Sequence, residues 1–150
     1  MVASRILVDV AHMRRDALDE TFALLDDLDK AMPVIASHAG YRFGKQEYML
    51  DSTTLERIAK RGGVVGLIMA HHQLNDGIRK DNTENLEASF ETIRRHIDQI
   101  HSVTGSNDHV ALGTDLDGFI KPTREYPHDW EAITSGNAVS VPSGAPDYAA

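Results

Sequence analysis

At 150 residues the chain can form one domain with a real core, but it is shorter than the about 250 residues usual for a complete β/α barrel (about 200 at the minimum). A formal charge of −8 argues against nucleic acid as the main partner, and the absence of cysteine excludes disulfides and thiolate metal sites, so any metal must be held by His, Asp or Glu. The longest apolar run, Val64 to Ala70, is too short to span a bilayer, and Met1 leads into a strand-like segment rather than a secretion signal, so the expected location is the cytoplasm.

Residues 5–11 are rich in Ile and Val and predict a buried strand that Asp9 interrupts. Over 16–30, Leu18, Phe22, Leu25 and Leu28 form an apolar stripe, with Asp19, Asp26, Asp27 and Lys30 mostly on the wet side. Met32-Pro33 ends this helix, and 34–37 predicts a second strand. Residues 39–51 have no period and read as a long loop. Thr53-x-x-Glu56 has the form of a capping box opening a short helix, with Leu55, Ile58 and Ala59 inward and Gly62-Gly63 as its stop. Segment 64–70 is apolar throughout, as a strand covered on both faces should be. A polar loop over 71–82 holds the turn signal Asn75-Asp76-Gly77. Leu86, Phe90, Ile93, Ile97, Ile100 and Val103 then predict the longest helix, with Gly105 as its cap. The fourth strand spans 109–114. Residues 126–150 lack periodicity and read as an irregular tail, in which Trp130 and Ile133 are the apolar residues able to dock.

The order is β-α-β-α-β-α-β plus a tail. This is an α/β chain of parallel β/α units, about four strands, forming half of a TIM-type (β/α)8 barrel over residues 1–122, with 123–150 as the tail. Each strand runs to a residue that can bind metal or move a proton: His12, His38, His71 and Asp115. Parallel strands deliver such residues to one rim.

Two neutral imidazoles, His12 and His38, make half of a zinc site, although histidines at strand ends also serve simply to satisfy backbone carbonyls. A carboxylate at Asp115 can ligate metal or carry a proton from water to a leaving amine, while Asp115-Leu116-Asp117-Gly118 is equally good turn chemistry. Asp117 fits a loop cap. His71 and His72 point opposite ways in extended chain, leaving His71 as a candidate substrate contact. Arg42 and Lys45, with Tyr41, are candidates for binding a substrate carboxylate or are simply solvated. His96 and His101 are expected on the helix surface, His109 at the far rim and His128 in the tail. The signatures G-x-S-x-G and H-E-x-x-H and a phosphate loop do not occur.

Five segments together resemble the membrane (renal) dipeptidase family: Val8-Asp9-Val10-Ala11-His12, Ala31-Met32-Pro33-Val34-Ile35-Ala36-Ser37-His38, Arg61-Gly62-Gly63-Val64-Val65-Gly66, His96-Ile97-Asp98-Gln99-Ile100 and His109-Val110-Ala111-Leu112-Gly113-Thr114-Asp115-Leu116-Asp117-Gly118. The resemblance covers residues 5–122 and corresponds to the last four strands of the family's barrel. It implies an amidohydrolase-type enzyme that hydrolyses dipeptides with two zinc ions and a bridging hydroxide. By position, His12 and His38 match the two histidines on one zinc, and Asp115 matches the proton-shuttling aspartate. The family's N-terminal His-x-Asp, its metal-bridging glutamate and the substrate-contacting histidine of its front half have no counterpart here. Tyr48-Met49-Leu50 stands in place of the usual Arg-Asn-Leu, whose arginine grips the substrate carboxylate, so Arg42 or Lys45 is the candidate substitute. The family's final helices are not recognisable after Pro122.

The expected activity is zinc-dependent dipeptide hydrolysis, impaired in this chain, with at most one well-held zinc. The alternatives are a non-catalytic barrel half that binds metal weakly or only oligomerises, and an amidohydrolase acting on other amides or lactones. The expected partners are a dipeptide-like substrate and either a second copy of the chain or an N-terminal barrel half. Neither nucleic acid nor a membrane span is expected.

Overall fold

A computed structural model of the chain describes residues 6–28, 32–79 and 86–115. The chain divides into a unit ending at Asp115 and a second, Leu116–Ala150, so the expected tail and Asp117 lie outside the described residues.

Four parallel strands form one sheet in the order β1-β2-β3-β4. They are β1 (Val8–Asp9), β2 (Val34–Ala39), β3 (Val64–Leu67) and β4 (Val110–Leu112). The connections carry α1 (Arg15–Leu28) after β1, α2 (Ser52–Lys60) after β2, and α3 (His71–Leu74) and α4 (Leu86–Thr104) after β3, so the expected β/α alternation is the observed one. Three of the strands are shorter than the apolar runs that encode them, whereas β2 is longer than the expected 34–37; in β1, Val8 and Asp9 pair opposite Val34 and Ile35.

The core lies between sheet and helices. Leu18, Phe22 and Leu25 of α1, Leu55 and Ile58 of α2 and Ile100 of α4 close over Val8, Val34, Ala36, Val65 and Leu67. Burying a side chain of this size contributes about 1.5–3 kcal/mol. Arg57 lies over the Phe22 ring, 4.3 Å from its centroid, and pairs with Asp19, joining α2 to α1. Two details differ from the sequence pattern. The cap of α2 is Asp51, whose carboxylate accepts from the Thr54 N–H at 2.8 Å, so the helix opens two residues before the Thr53-x-x-Glu56 frame would place it. On α4 the buried line is Thr92, His96 and Ile100; Phe90, expected inward, is 59% exposed.

The end of α2 explains Gly62-Gly63. Gly62 takes φ 64°, and its N–H and that of Gly63 return to the Ala59 and Ile58 carbonyls. A Cβ on Gly63 would fall on the Val34 carbonyl oxygen. The chain thus turns tightly from α2 into β3 against the start of β2.

Candidate functional site at the strand ends

The C-terminal ends of the strands bring His12, His38 and Asp115 together. Nε2 of His12 lies 2.7 Å from Nε2 of His38, and the two ring centroids are 4.7 Å apart. His38 Nε2 is 3.9 Å from Asp115 Oδ2, with both side chains about a quarter exposed or less (21% and 25%). That separation exceeds a direct hydrogen bond and suits a single atom between the two groups.

Each residue reaches the rim by a local distortion. His12 follows β1 in a turn and takes φ 61°; Asp115, three residues past β4, takes φ 57°. Both are non-glycine residues in the left-handed region, which costs roughly 1–2 kcal/mol apiece. His38 lies within β2 rather than one step past a strand. The β2–β3 register shifts between Ala36 and Ala39, and such an irregularity re-aims the side chains it contains. His38 falls inside it.

Beneath the imidazoles runs a chain of hydrogen bonds. The Asp9 carboxylate accepts from the N–H groups of Ala11 and Ser37, both at 3.0 Å, and from the Ser37 side chain. Burial would raise the Asp9 carboxyl, but these bonds and the nearby His38 outweigh it and hold the group below its ordinary value of 3.8. The Ser37 hydroxyl, donating to Asp9, accepts from Nδ1 of His38 at 2.8 Å. That tautomer leaves the Nε2 lone pair of His38 facing His12. Asp9 and Ser37 were not singled out as site residues by sequence, although an acid inside an apolar strand was a visible signal that donors must be near.

The remaining candidates divide. Arg42 is half-buried and donates to the main-chain oxygens of Met49 and Glu47, both at 2.8 Å, while still lining the cleft beside His12. Lys45 is exposed; its backbone N–H is held by the Asp76 carboxylate, which also accepts from Gln46 N–H and so ties the loop after β2 to the turn at Asn75-Asp76-Gly77. His71 and His72 open the one-turn α3 instead of lying in extended chain; the His72 side chain is exposed, and that of His71 lies outside the described residues. His109 precedes β4, where Nδ1 meets the Gly63 carbonyl at 2.8 Å at the opposite rim.

His96 corrects an expectation. It is fully buried, not on the surface. Nδ1 accepts from the Tyr41 N–H at 3.1 Å and Nε2 donates to the Leu74 carbonyl at 2.9 Å, with Phe43 edge-on at 5.0 Å. Burial pushes the imidazole below its ordinary 6.5, against the opposing pull of the Leu74 carbonyl. His96 therefore pins the loop that follows His38 to α4.

The donor chemistry fits part of a zinc site. Tetrahedral zinc with nitrogen ligands at about 2.0–2.1 Å holds two such atoms roughly 3.3 Å apart, so the two imidazoles need only part slightly to share a cation. Among the described residues, no group of three or more His, Asp or Glu side chains is arranged to hold a metal ion. The chain thus presents two imidazole donors and a neighbouring carboxylate rather than a closed ligand set.

Comparison with known proteins agrees with this architecture. The model of the membrane dipeptidase family, peptidase family M19, matches residues 2–135. A Klebsiella pneumoniae protein encoded in the pqqA 5′ region is 32% identical over 121 residues, which are 80% of this chain and 41% of that protein. A Schizosaccharomyces pombe protein described as a dipeptidase is 32% identical over 75% of this chain and 24% of its own length. Among solved structures, the dipeptidase AC, a metallopeptidase of family M19, superposes with a TM-score of 0.63 at 27% identity, covering 79% of this chain and 32% of that one. A Rhodobacter sphaeroides metallopeptidase liganded with a phosphinate mimic of L-Ala-D-Ala gives 0.63 at 24% identity, over 88% of this chain and 35% of that one. The chain therefore spans well under half the length of the proteins it matches. Its strands, its strand-end histidines and the family match over residues 2–135 lead to one statement: the chain belongs to the membrane dipeptidase family, peptidase family M19.

Proposed function

We propose that the chain carries one rim of a zinc-dependent dipeptide hydrolase, with His12 and His38 as zinc ligands and Asp115 as the proton carrier. The observation that supports this most is the approach of both His12 and Asp115 to the same His38 nitrogen, at 2.7 and 3.9 Å. Bound zinc would supply a water of pKa about 7 and polarise the scissile carbonyl. His12 and His38 would hold it through their Nε2 atoms. Ser37, backed by Asp9, keeps the proton on Nδ1 of His38 and the ring fixed. The Asp115 carboxylate takes a proton from the attacking water and returns it to the leaving amine, work that a carboxylate can perform only within reach of both. The partial exposure of His38 and Asp115 leaves an approach from solvent.

Two imidazoles alone hold zinc loosely, and the described residues provide no third ligand of the same set. The reading therefore includes further ligands from outside the described residues, in a longer chain or a second copy. By itself the chain holds at most one zinc and turns dipeptides over slowly. The incomplete ligand set also favours a second reading, in which the chain is a non-catalytic barrel half. Zinc titration of the purified chain, with a dipeptide hydrolysis assay, separates the two. We expect one zinc at most, lost in His12→Ala and His38→Ala, and slow hydrolysis that Asp115→Asn abolishes without loss of metal. Zinc binding unchanged in both histidine variants would remove the proposal; zinc bound without hydrolysis would leave the non-catalytic reading.

A further inference from the structure

The loop after β2 folds back on itself around Arg42. The Arg42 N–H donates to the Leu50 carbonyl and the Leu50 N–H to the Gly40 carbonyl, both at 2.8 Å. The Arg42 side chain then lies along the returning limb: Nε donates to the Met49 carbonyl and Nη2 to the Glu47 carbonyl, both at 2.8 Å. Those carbonyls lie on either side of Tyr48, so the guanidinium is fixed beside a residue whose ring stands edge-on to His12, with 5.0 Å between centroids. Arg42, Tyr48 and His12 line one cleft of about 720 Å³. A guanidinium carries five N–H donors. The two carbonyls take one from Nε and one from Nη2, which leaves both on Nη1, one on Nη2 and the whole positive charge. Among the described residues no carboxylate pairs with Arg42. Asp51 is near enough to feel its charge, but accepts from the Thr54 N–H and pairs with Arg15.

The other cations nearby are less suited to hold an anion. Arg14 is 83% exposed and pairs with Asp16, and Arg15 is shared between Asp19 and Asp51. A carboxylate held by so exposed a cation gains little over water. Lys45 lies outside the cleft lining. Arg42 alone is half-buried and oriented before any ligand arrives, so little side-chain freedom is lost on binding. We propose that Arg42 is the substrate-binding residue that holds the C-terminal carboxylate of a dipeptide at this site, through the N–H groups its two carbonyls leave over. The charge that residue 48 lacks is thereby supplied from the other limb of the same loop. The proposal rests on the reading of His12 and His38 as the reaction site, since that reading makes this cleft the substrate's.

The test is calorimetry on the full chain, zinc-free and again with zinc, using L-Ala-L-Phe and its C-terminal amide as probes. The chain's net charge of −8 favours the cationic amide in general, so a preference for the acid has to come from a local cation. We expect the acid to bind about 10–100-fold tighter than the amide. Arg42→Met should bring that ratio below about threefold, Arg42→Lys should leave it between those of Arg42→Met and the parent, and Arg14→Met and Lys45→Met should not change it. Reading the ratio within each variant separates the carboxylate contact from a loosened loop, which weakens both probes alike. Equal binding of acid and amide by the parent, an undiminished ratio in Arg42→Met, a ratio lost in Arg14→Met or Lys45→Met, or no binding of either probe would each overturn the proposal. Zinc affinity measured on the same samples keeps the two ideas apart. Histidine-dependent zinc binding without an acid preference overturns only the Arg42 claim. An Arg42-dependent preference in a chain that binds no zinc overturns only the metal reading.

Discussion

On the edge strand β1 the exposed Asp9 carboxylate gathers three donors, the N–H groups of Ala11 and Ser37 and the Ser37 side chain. The same serine fixes the His38 tautomer, so the weak link of any metal site here is a hydroxyl rather than a ligand. Ser37→Ala should keep the fold by circular dichroism and lower zinc affinity about 10–100-fold in competition with a chelator. An affinity unchanged within twofold would show that Ser37 plays no part. His96 makes a second residue-scale prediction. Its folded-state value lies below its ordinary 6.5, so the unfolded chain binds the extra proton first. Stability from this group is therefore complete above about pH 6.5 and declines as pH falls toward the folded-state value, with a limiting slope of about 1.4 kcal/mol per pH unit. Urea midpoints taken from pH 7.5 to 5 should fall more steeply for the parent than for His96→Gln; parallel curves would contradict this. The burial of His96 could not be read from the helix period. Its partners are the Tyr41 N–H and the Leu74 carbonyl, which belong to other segments, whereas the period describes only the helix's own faces.

At the scale of elements, glycine sets how closely the strand ends meet. A Cβ at Gly113 or Gly66 would fall on the Ser37 carbonyl oxygen, and the two glycines stack against each other across β3 and β4. The chain after β4 can therefore cross the end of β3 and set Asp115 near His38. Gly113→Ala should destabilise the fold by about 1–3 kcal/mol, as overpacking does. It should also impair the proton step more than zinc binding, because Asp115 follows Gly113 while His12 and His38 do not. Equal loss of both activities would argue for general unfolding instead. This placement was only partly legible. The apolar runs before His12, His38 and Asp115 announced strands and their common rim. The left-handed turns at His12 and Asp115, and the register shift around His38, decide the distances, and no single-residue pattern encodes those. Arg42 shows the same limit: sequence offers a cation, and only the structure shows that two of its five N–H donors hold the Met49 and Glu47 carbonyls.

The whole described sheet has two open edges, β1 and β4, with Ile6, Leu7 and Leu112 exposed at 57%, 49% and 77%. Parallel sheets are normally covered on both faces, and unpaired edges invite further pairing. We expect the chain to self-associate at micromolar concentration in sedimentation velocity, and Ile6→Lys with Leu112→Lys to shift it toward monomer. A parent chain that sediments as a compact monomer would refute this. None of the helices among the described residues is long and apolar enough to cross a membrane. The β/α order was legible because each unit repeats one simple pattern. The left-handed backbone at His12 and Asp115 has a further consequence. Glycine at either position would relax the main chain, so laboratory evolution for heat resistance alone should drift toward it and disarm the rim. Asparagine, which tolerates the same geometry, is the replacement to use when an inert yet equally well-folded control is wanted.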